Sequence, residues 1–271
     1  MGRLILMRHG KSMWNADPSN PLVDWKYAGA IDVPLSEKGI QQAIAAGHLT
    51  KNIDIDVVYC SMLIRAQTTA LIALAAHNRN KVPLLVRDTK ERDKRGLRAH
   101  TTKIFEGSHQ EVIPMYCSYD LDERDFGKLA GMFEAEQKVH YDKKDLECFR
   151  TTWGIPFPNG ESNADVFDRT IAFFERHIRG QLEMGKNVFI CCHGFVIRVI
   201  LAYIQNMTPA DWQEAMKLEM RHEKCKLDVP NASPVVFDYV KSENEPRAAK
   251  FVHMGNEDFN TSETNVVTSK L

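Results

Sequence analysis

Short, unbroken apolar runs alternate with amphipathic stretches along most of this chain. Leu4-Ile5-Leu6-Met7, Val57-Val58-Tyr59 and Val188-Phe189-Ile190-Cys191-Cys192 each soon give way to a polar or charged side chain. Runs of this length without alternation suit strands buried on both faces of a parallel sheet. Between the first two, Ser36 is a good N-cap for a helix reaching Leu49, with Ile40, Ala43, Ile44 and Gly47 on one face. A second helix is expected from Leu63 to Ala76, with a small-residue face of Ala66, Thr69, Ala70 and Ala73. A third opens at Ser162, where Asp165 completes a capping box, and runs through Phe167, Ile171, Phe174 and Ile178. A fourth follows His193-Gly194 directly, apolar from Phe195 to Ile204 except at Arg198. The alternation predicts a three-layer α/β/α domain with a mostly parallel central sheet.

The pattern breaks from Asp88 to Ser118, a polar and basic segment carrying Lys90, Arg92, Lys94, Arg95, Arg98 and Lys103. It is expected to be an inserted loop, either a lid or a solvated excursion. Residues 1–254 read as one domain. The stretch 255–271, rich in Asn, Thr, Ser and Glu, reads as a flexible tail ending Ser269-Lys270-Leu271, the tripeptide that peroxisomal import receptors read. That ending predicts a peroxisomal or glycosomal location and an import receptor as partner, the alternative being the cytoplasm.

With 44% hydrophobic residues in 271, there is enough apolar material for one sizeable core. Lys+Arg 35 against Asp+Glu 36 leaves a net charge of -1, so no global field attracts nucleic acid or an anionic membrane, and any anion site must be a local cluster. The six cysteines include an adjacent pair and no CxxC spacing, which favours buried reduced thiols over disulfides or zinc. The sequence offers neither a secretory leader nor an apolar run of membrane-spanning length, so a soluble, non-secreted protein is expected.

In open parallel α/β sheets, ligands collect outside the carboxyl ends of the strands. Arg8-His9-Gly10 follows the first run, Arg65 lies shortly after the second, and His193-Gly194 follows the third. Two histidines and two arginines brought together there would form a cationic pocket for a dianionic phosphate. Guanidinium groups bind phosphate oxygens bidentately and keep their charge. A neutral His9, held unprotonated beside them, would be a nucleophile towards phosphorus. His193, at a helix N-terminus, adds a donor where the dipole favours an anion.

These residues also carry a family resemblance. Leu6-Met7-Arg8-His9-Gly10-Lys11-Ser12 resembles the RHG box of the histidine phosphatase superfamily, in its phosphoglycerate-mutase-like branch. The likeness continues through Asp32-Val33-Pro34-Leu35-Ser36-Glu37-Lys38-Gly39, Ser61-Met62-Leu63-Ile64-Arg65-Ala66 and Leu121-Asp122-Glu123-Arg124-Asp125-Phe126-Gly127, then Gly160-Glu161-Ser162 and His193-Gly194-Phe195-Val196-Ile197-Arg198. The resemblance implies a metal-free phosphohistidine mechanism, with His9 as nucleophile, Arg8, Arg65 and His193 as the phosphate pocket, and Glu123 as the acid at the leaving oxygen. It further implies substrate or phosphate contacts from Asn15, Gly29, Arg124, Arg150 and Gly194.

The chain departs from the mutase pattern. Glu134 stands where mutases have a Lys, and Arg150-Thr151 where they have paired arginines. Ala28-Gly29 replaces Thr-Gly after a longer loop containing Pro18, Pro21 and Trp25; Phe126 replaces Tyr, and Phe195 takes a polar position. A less basic, more apolar outer pocket favours a phosphatase acting on small phosphorylated metabolites without cofactor. The alternative is a mutase dependent on 2,3-bisphosphoglycerate, and a distant one is an idle phosphate-binding scaffold. Self-association is left open.

Overall fold

The computed structural model describes residues 2–15, 26–77, 81–86, 111–221, 223, 225, 227–241, 249–254 and 264–269. Their strands form one eight-stranded sheet in the order β3-β4-β2-β5-β1-β6-β7-β8. Its parallel part consists of β1 (Gly2–Arg8), β2 (Val57–Ser61), β3 (Lys81–Val86), β4 (Glu111–Ser118) and β5 (Val188–Cys192). β6 (Pro234–Lys241), β7 (Ala249–Met254) and β8 (Thr264–Ser269) continue it antiparallel from β1. Every residue of β2 and β5 is buried, as expected of strands covered on both faces.

Helices α1 (Glu37–Leu49) and α2 (Ile64–Ala76) cover one face. The Ser36 side chain caps α1 by accepting from the Gly39 N–H. The buried face of α1 is Gly39, Ala43, Ala46 and Gly47; Ile40, expected on that face, is 38% exposed, because the stripe is turned one position. Ala66, Ala70 and Ala73 of α2 do sit in the core beside Ile5, Met7, Val58 and Phe189.

The other face carries the larger core. After α3 (Glu134–His140) and α4 (Lys143–Thr151), α5 (Asn163–Phe173) starts at the expected Ser162–Asp165 capping box, then passes through a π-helical turn, Phe174–Ile178, into α6 (Arg179–Glu183). α7 (Gly194–Ile204) is buried along almost its whole length and packs with α5 and with Trp212 of α8 (Pro209–Met220). Two helical faces on one sheet make the three layers. All six cysteines are free thiols, four of them buried.

Two expectations change. Residues 111–118, read as the end of a polar insertion, are strand β4, hydrogen-bonded between β3 and β2. The stretch 255–271, read as a flexible tail, contains β8, paired with β7 from Thr264↔Met254 to Ser269↔Ala249. The expected lid residues from Lys90 to Lys103, the loop with Pro18, Pro21 and Trp25, and Lys270-Leu271 lie outside the described residues.

Candidate active site

Three neighbouring parallel strands, in the order β2-β5-β1, deliver their carboxyl ends to one place. β1 ends at Arg8 opposite Cys192 of β5, and Cys60 of β2 lies opposite Cys191. His9 and His193, each just past its strand, therefore stand side by side with ring centroids 5.1 Å apart. Both are buried, His9 at 4% exposure and His193 at 0%.

His9 is held at both ends. Its carbonyl accepts from Asn231 Nδ2 at 2.8 Å, and its Nδ1 lies 2.7 Å from Gly10 O. A carbonyl can only accept, so Nδ1 carries the proton and Nε2 presents the lone pair. Thr69 fixes the next residue, accepting from the Gly10 N–H at 2.9 Å and donating to Arg65 O at 2.6 Å. Burial first, then the charges of Arg65 and Arg8, hold the His9 imidazole well below its usual pKa, so it is neutral at physiological pH.

The cations are pinned from behind. Arg65 is 1% exposed and donates Nη1 to Ile31 O and Nη2 to Gly29 O, both at 2.7 Å. Arg8 reaches the space under the first turn of α7, where Gly194 gives it room: a Cβ there would come within 3.2 Å of Arg8 Nε. Arg8 Nε, Arg65 Nε and His193 Nδ1 are all buried with no hydrogen-bond partner among the described residues. Buried polar atoms are rarely left unpaired, so three around one histidine mark a place built for a polar ligand. With two guanidinium groups present, that ligand is an anion. Glu123, half-buried, lies within electrostatic reach of both Arg8 and Arg65, and its Oε1 accepts from the Arg124 N–H at 2.9 Å.

A match to the histidine phosphatase superfamily (branch 1) covers residues 4–93 and 97–234. The chain belongs to that superfamily. It is 33% identical over 237 residues to the 2,3-bisphosphoglycerate-dependent phosphoglycerate mutase of Chlamydia abortus, an alignment covering 88% of this chain and 93% of that protein. It is 37% identical over 217 residues to 2,3-bisphosphoglycerate-dependent phosphoglycerate mutase 1 of Arabidopsis thaliana, covering 80% of this chain but only 61% of the plant protein, so it spans under two thirds of that relative. Among solved structures, a mycobacterial glucosyl-3-phosphoglycerate phosphatase superposes with a TM-score of 0.60 at 19% identity, covering 99% of this chain and 98% of the other. An alpha-ribazole phosphatase from Shigella flexneri gives 0.59 at 22%, covering 88% and 91%. At these identities the structures establish the three-layer fold alone.

In this member of the superfamily the structure brings His9, Arg8, Arg65, His193 and Gly194 together, with Glu123 within electrostatic reach of the two arginines, and the remaining candidates divide. Asn15 is next to the RHG loop, its Oδ1 accepting from the Ser12 N–H at 2.9 Å. Gly29 sits in a turn with φ +50°, and its carbonyl is one of the two that clamp Arg65. Arg124, expected to contact substrate, is 1% exposed and commits three donors to the protein: Nε to Glu161 O at 2.9 Å, Nη1 to Asn163 Oδ1 at 2.7 Å and Nη2 to Phe149 O at 2.8 Å. Burial pulls it down to about 10, still charged at neutral pH, so it serves as a hub tying the Glu123 loop to α4 and α5. Arg150 donates to Gln137 Oε1 at 3.2 Å and stands over the Tyr27 ring, with its Nε buried and without a hydrogen-bond partner among the described residues.

A small aromatic core lies beside these residues. Tyr27, Phe126 and Phe157 pack as a cluster with ring centroids 4.4 to 6.1 Å apart. Phe195 belongs to the larger core: at 9% exposure it packs against Trp212 and under Arg124. Glu134 is ion-paired with Lys138 on the surface of α3. Sequence reasoning missed Ser61, Asp122, Asn231 and Thr69; for Ser61 the signal was its place at a strand end, like His9 and His193.

Proposed function

We propose that this protein transfers phosphoryl groups through a phosphohistidine at His9 and acts as a 2,3-bisphosphoglycerate-dependent phosphoglycerate mutase. The observation that carries the reading is the likeness to enzymes of that name across nearly the whole of both chains. The pocket fits a phosphate of such a ligand: Arg8, Arg65 and His193 supply three unpartnered buried polar atoms beside a histidine whose free lone pair is on Nε2.

In this scheme His9 Nε2 takes the phosphoryl group from the entering phosphate ester. Arg8 and Arg65 hold the equatorial oxygens, where charge spreads during transfer. Glu123 gives its proton to the leaving oxygen and takes one from the accepting hydroxyl. The bisphosphate, when bound, supplies the phosphoryl group that primes His9.

A second reading, phosphatase, is favoured by one specific feature of the outer pocket. Arg124 is spent on the protein, and Glu134 and Thr151 stand where cations were expected, so few free charges would retain a bisphosphate. The two readings separate on incubation with 3-phosphoglycerate, with and without catalytic 2,3-bisphosphoglycerate. Isomerisation that needs the bisphosphate and releases little phosphate is the expected result. Stoichiometric phosphate release without isomerisation would replace mutase by phosphatase. Loss of either activity by about a thousandfold or more is expected for His9→Ala; wild-type turnover by that variant would sink the phosphohistidine scheme.

A further inference from the structure

Behind the phosphate pocket lies a hydrogen-bonded chain with no part in the scheme above. His193 Nε2 is 2.7 Å from Ser61 Oγ, and Ser61 Oγ is 2.6 Å from Asp122 Oδ1. Asp122 Oδ1 also accepts from the Met62 N–H at 2.7 Å, and Ser61 Oγ from the Leu63 N–H at 3.0 Å. Ser61 and His193 are both fully buried.

Burial pushes the Asp122 carboxyl above its usual range, but while it is ionised only one proton arrangement satisfies these hydrogen bonds. A serine hydroxyl has a single proton and two lone pairs. With Asp122 ionised, that proton goes to the carboxylate, and the two lone pairs accept from Leu63 N–H and from His193. Nε2 of His193 therefore carries a proton in every protonation state. When the ring is neutral, Nδ1 holds only a lone pair, and Nδ1 is the nitrogen left without a partner on the side away from Ser61. A phosphoryl oxygen repels a lone pair. It can be accepted at Nδ1 only if a second proton is there to donate.

The geometry points to Asp122 as a positioning residue: acting through Ser61, it fixes the His193 tautomer and serves as counter-charge for a proton that His193 takes up as the phosphoryl ligand enters. The inference rests on the phosphate-site reading above and deepens it. The proton comes from solvent, or from the ligand when that enters as a monoanion, and adds to the Nδ1 lone pair with no other bond made or broken. The groups facing His193 are Arg8 and His9 at the end of β1, Arg65 on α2, Arg169 on α5, and Asp122 through Ser61, with Glu123 within electrostatic reach of Arg8 and Arg65. In the empty pocket, burial and the cations keep the ring neutral. A dianion reverses the balance, and Asp122 is the one carboxylate hydrogen-bonded into the same chain.

Titration calorimetry of the full chain with inorganic phosphate tests this, at a pH where phosphate is a dianion and in buffers of different ionisation enthalpy. The wild type should take up about one proton per phosphate bound. Asp122→Asn keeps an oxygen acceptor for Met62 and Ser61 but loses the charge. It should bind phosphate about tenfold more weakly with proton uptake well below one, and the alkaline limb of kcat/KM should move to lower pH. Asp122→Glu should restore part of both. A purely structural Asp122 would weaken binding while leaving the proton count unchanged, which would overturn the proposal, as would zero uptake by the wild type. Absence of phosphate binding together with absence of turnover would instead count against the phosphoryl-transfer reading.

Discussion

Arg65 Nη2 donates to Gly29 O at 2.7 Å, which makes a turn residue the anchor of a pocket cation. The turn holds Gly29 at φ +50°, and a Cβ there would lie 3.0 Å from Arg124 O and from Phe126 Cδ2. Gly29→Ala is therefore strained in conformation and in space, and relief moves the carbonyl that aims Arg65. The expected outcome is a stability loss of about 1–2 kcal/mol in urea unfolding, with weaker phosphate binding in calorimetry. Unchanged phosphate affinity in a folded Gly29→Ala variant would show that Arg65 does not depend on this clamp.

Arg124 and the substrate are separable by the same pair of measurements. Its three donors end on Glu161, Asn163 and Phe149, and its guanidinium lies over the Phe157 ring at 4.4 Å. Arg124→Ala leaves those acceptors buried and unpaired, for an expected cost of about 3 kcal/mol or more. Arg124→Lys, with charge but no fork, should fall between. A substrate-binding Arg124 would give the opposite pattern, a raised KM with an unchanged unfolding midpoint.

Phe195 gives a third contrast. Buried against Trp212 with ring centroids 5.3 Å apart, it belongs to the core under α7. Phe195→Ser, which places a polar side chain where the sequence comparison expects one, should cost about 3 kcal/mol and leave KM near its wild-type value. A marked fall in KM with little loss of stability would return Phe195 to the pocket wall.

How much of this was legible in the sequence follows from the range of the interactions. His9, Arg8 and His193 could be found because each follows an apolar run that becomes a buried strand. Strands β3 and β4 could not, because Pro83 and Pro114 interrupt Lys81-Val82-Pro83-Leu84-Leu85-Val86 and Glu111-Val112-Ile113-Pro114-Met115, and proline demotes a strand reading. Both prolines are accommodated near the sheet edge, where β3 is the outermost strand. The Asp122–Ser61–His193 chain spans 61 and then 132 positions, so nothing local marks Asp122 within the charge run Asp122-Glu123-Arg124-Asp125. Arg124 was misread for the same reason: a cation beside a catalytic carboxylate looks like a ligand contact until its donors are traced to Glu161, Asn163 and Phe149.

Two of the buried histidines, His9 and His193, also bear on the acid stability of the fold. His9 and His193 are both held well below their usual pKa, first by burial and then by neighbouring cations, Arg65 foremost. The folded state thus prefers neutral rings, whereas the unfolded chain protonates them near ~6.5. Their contribution is fully present above that pH and is lost as pH falls below it, towards the depressed folded values, by up to ~1.4 kcal/mol per pH unit for each histidine. Urea unfolding between pH 6.5 and 5.5, above the range where most carboxylates titrate, should show a steep loss of stability in the wild type. In His9→Asn that slope should be clearly shallower, because the linked protonation of His9 is gone. An equal slope in both proteins would mean that His9 is protonated as readily in the folded state as in the unfolded chain, which would remove the basis for a neutral nucleophile at this position.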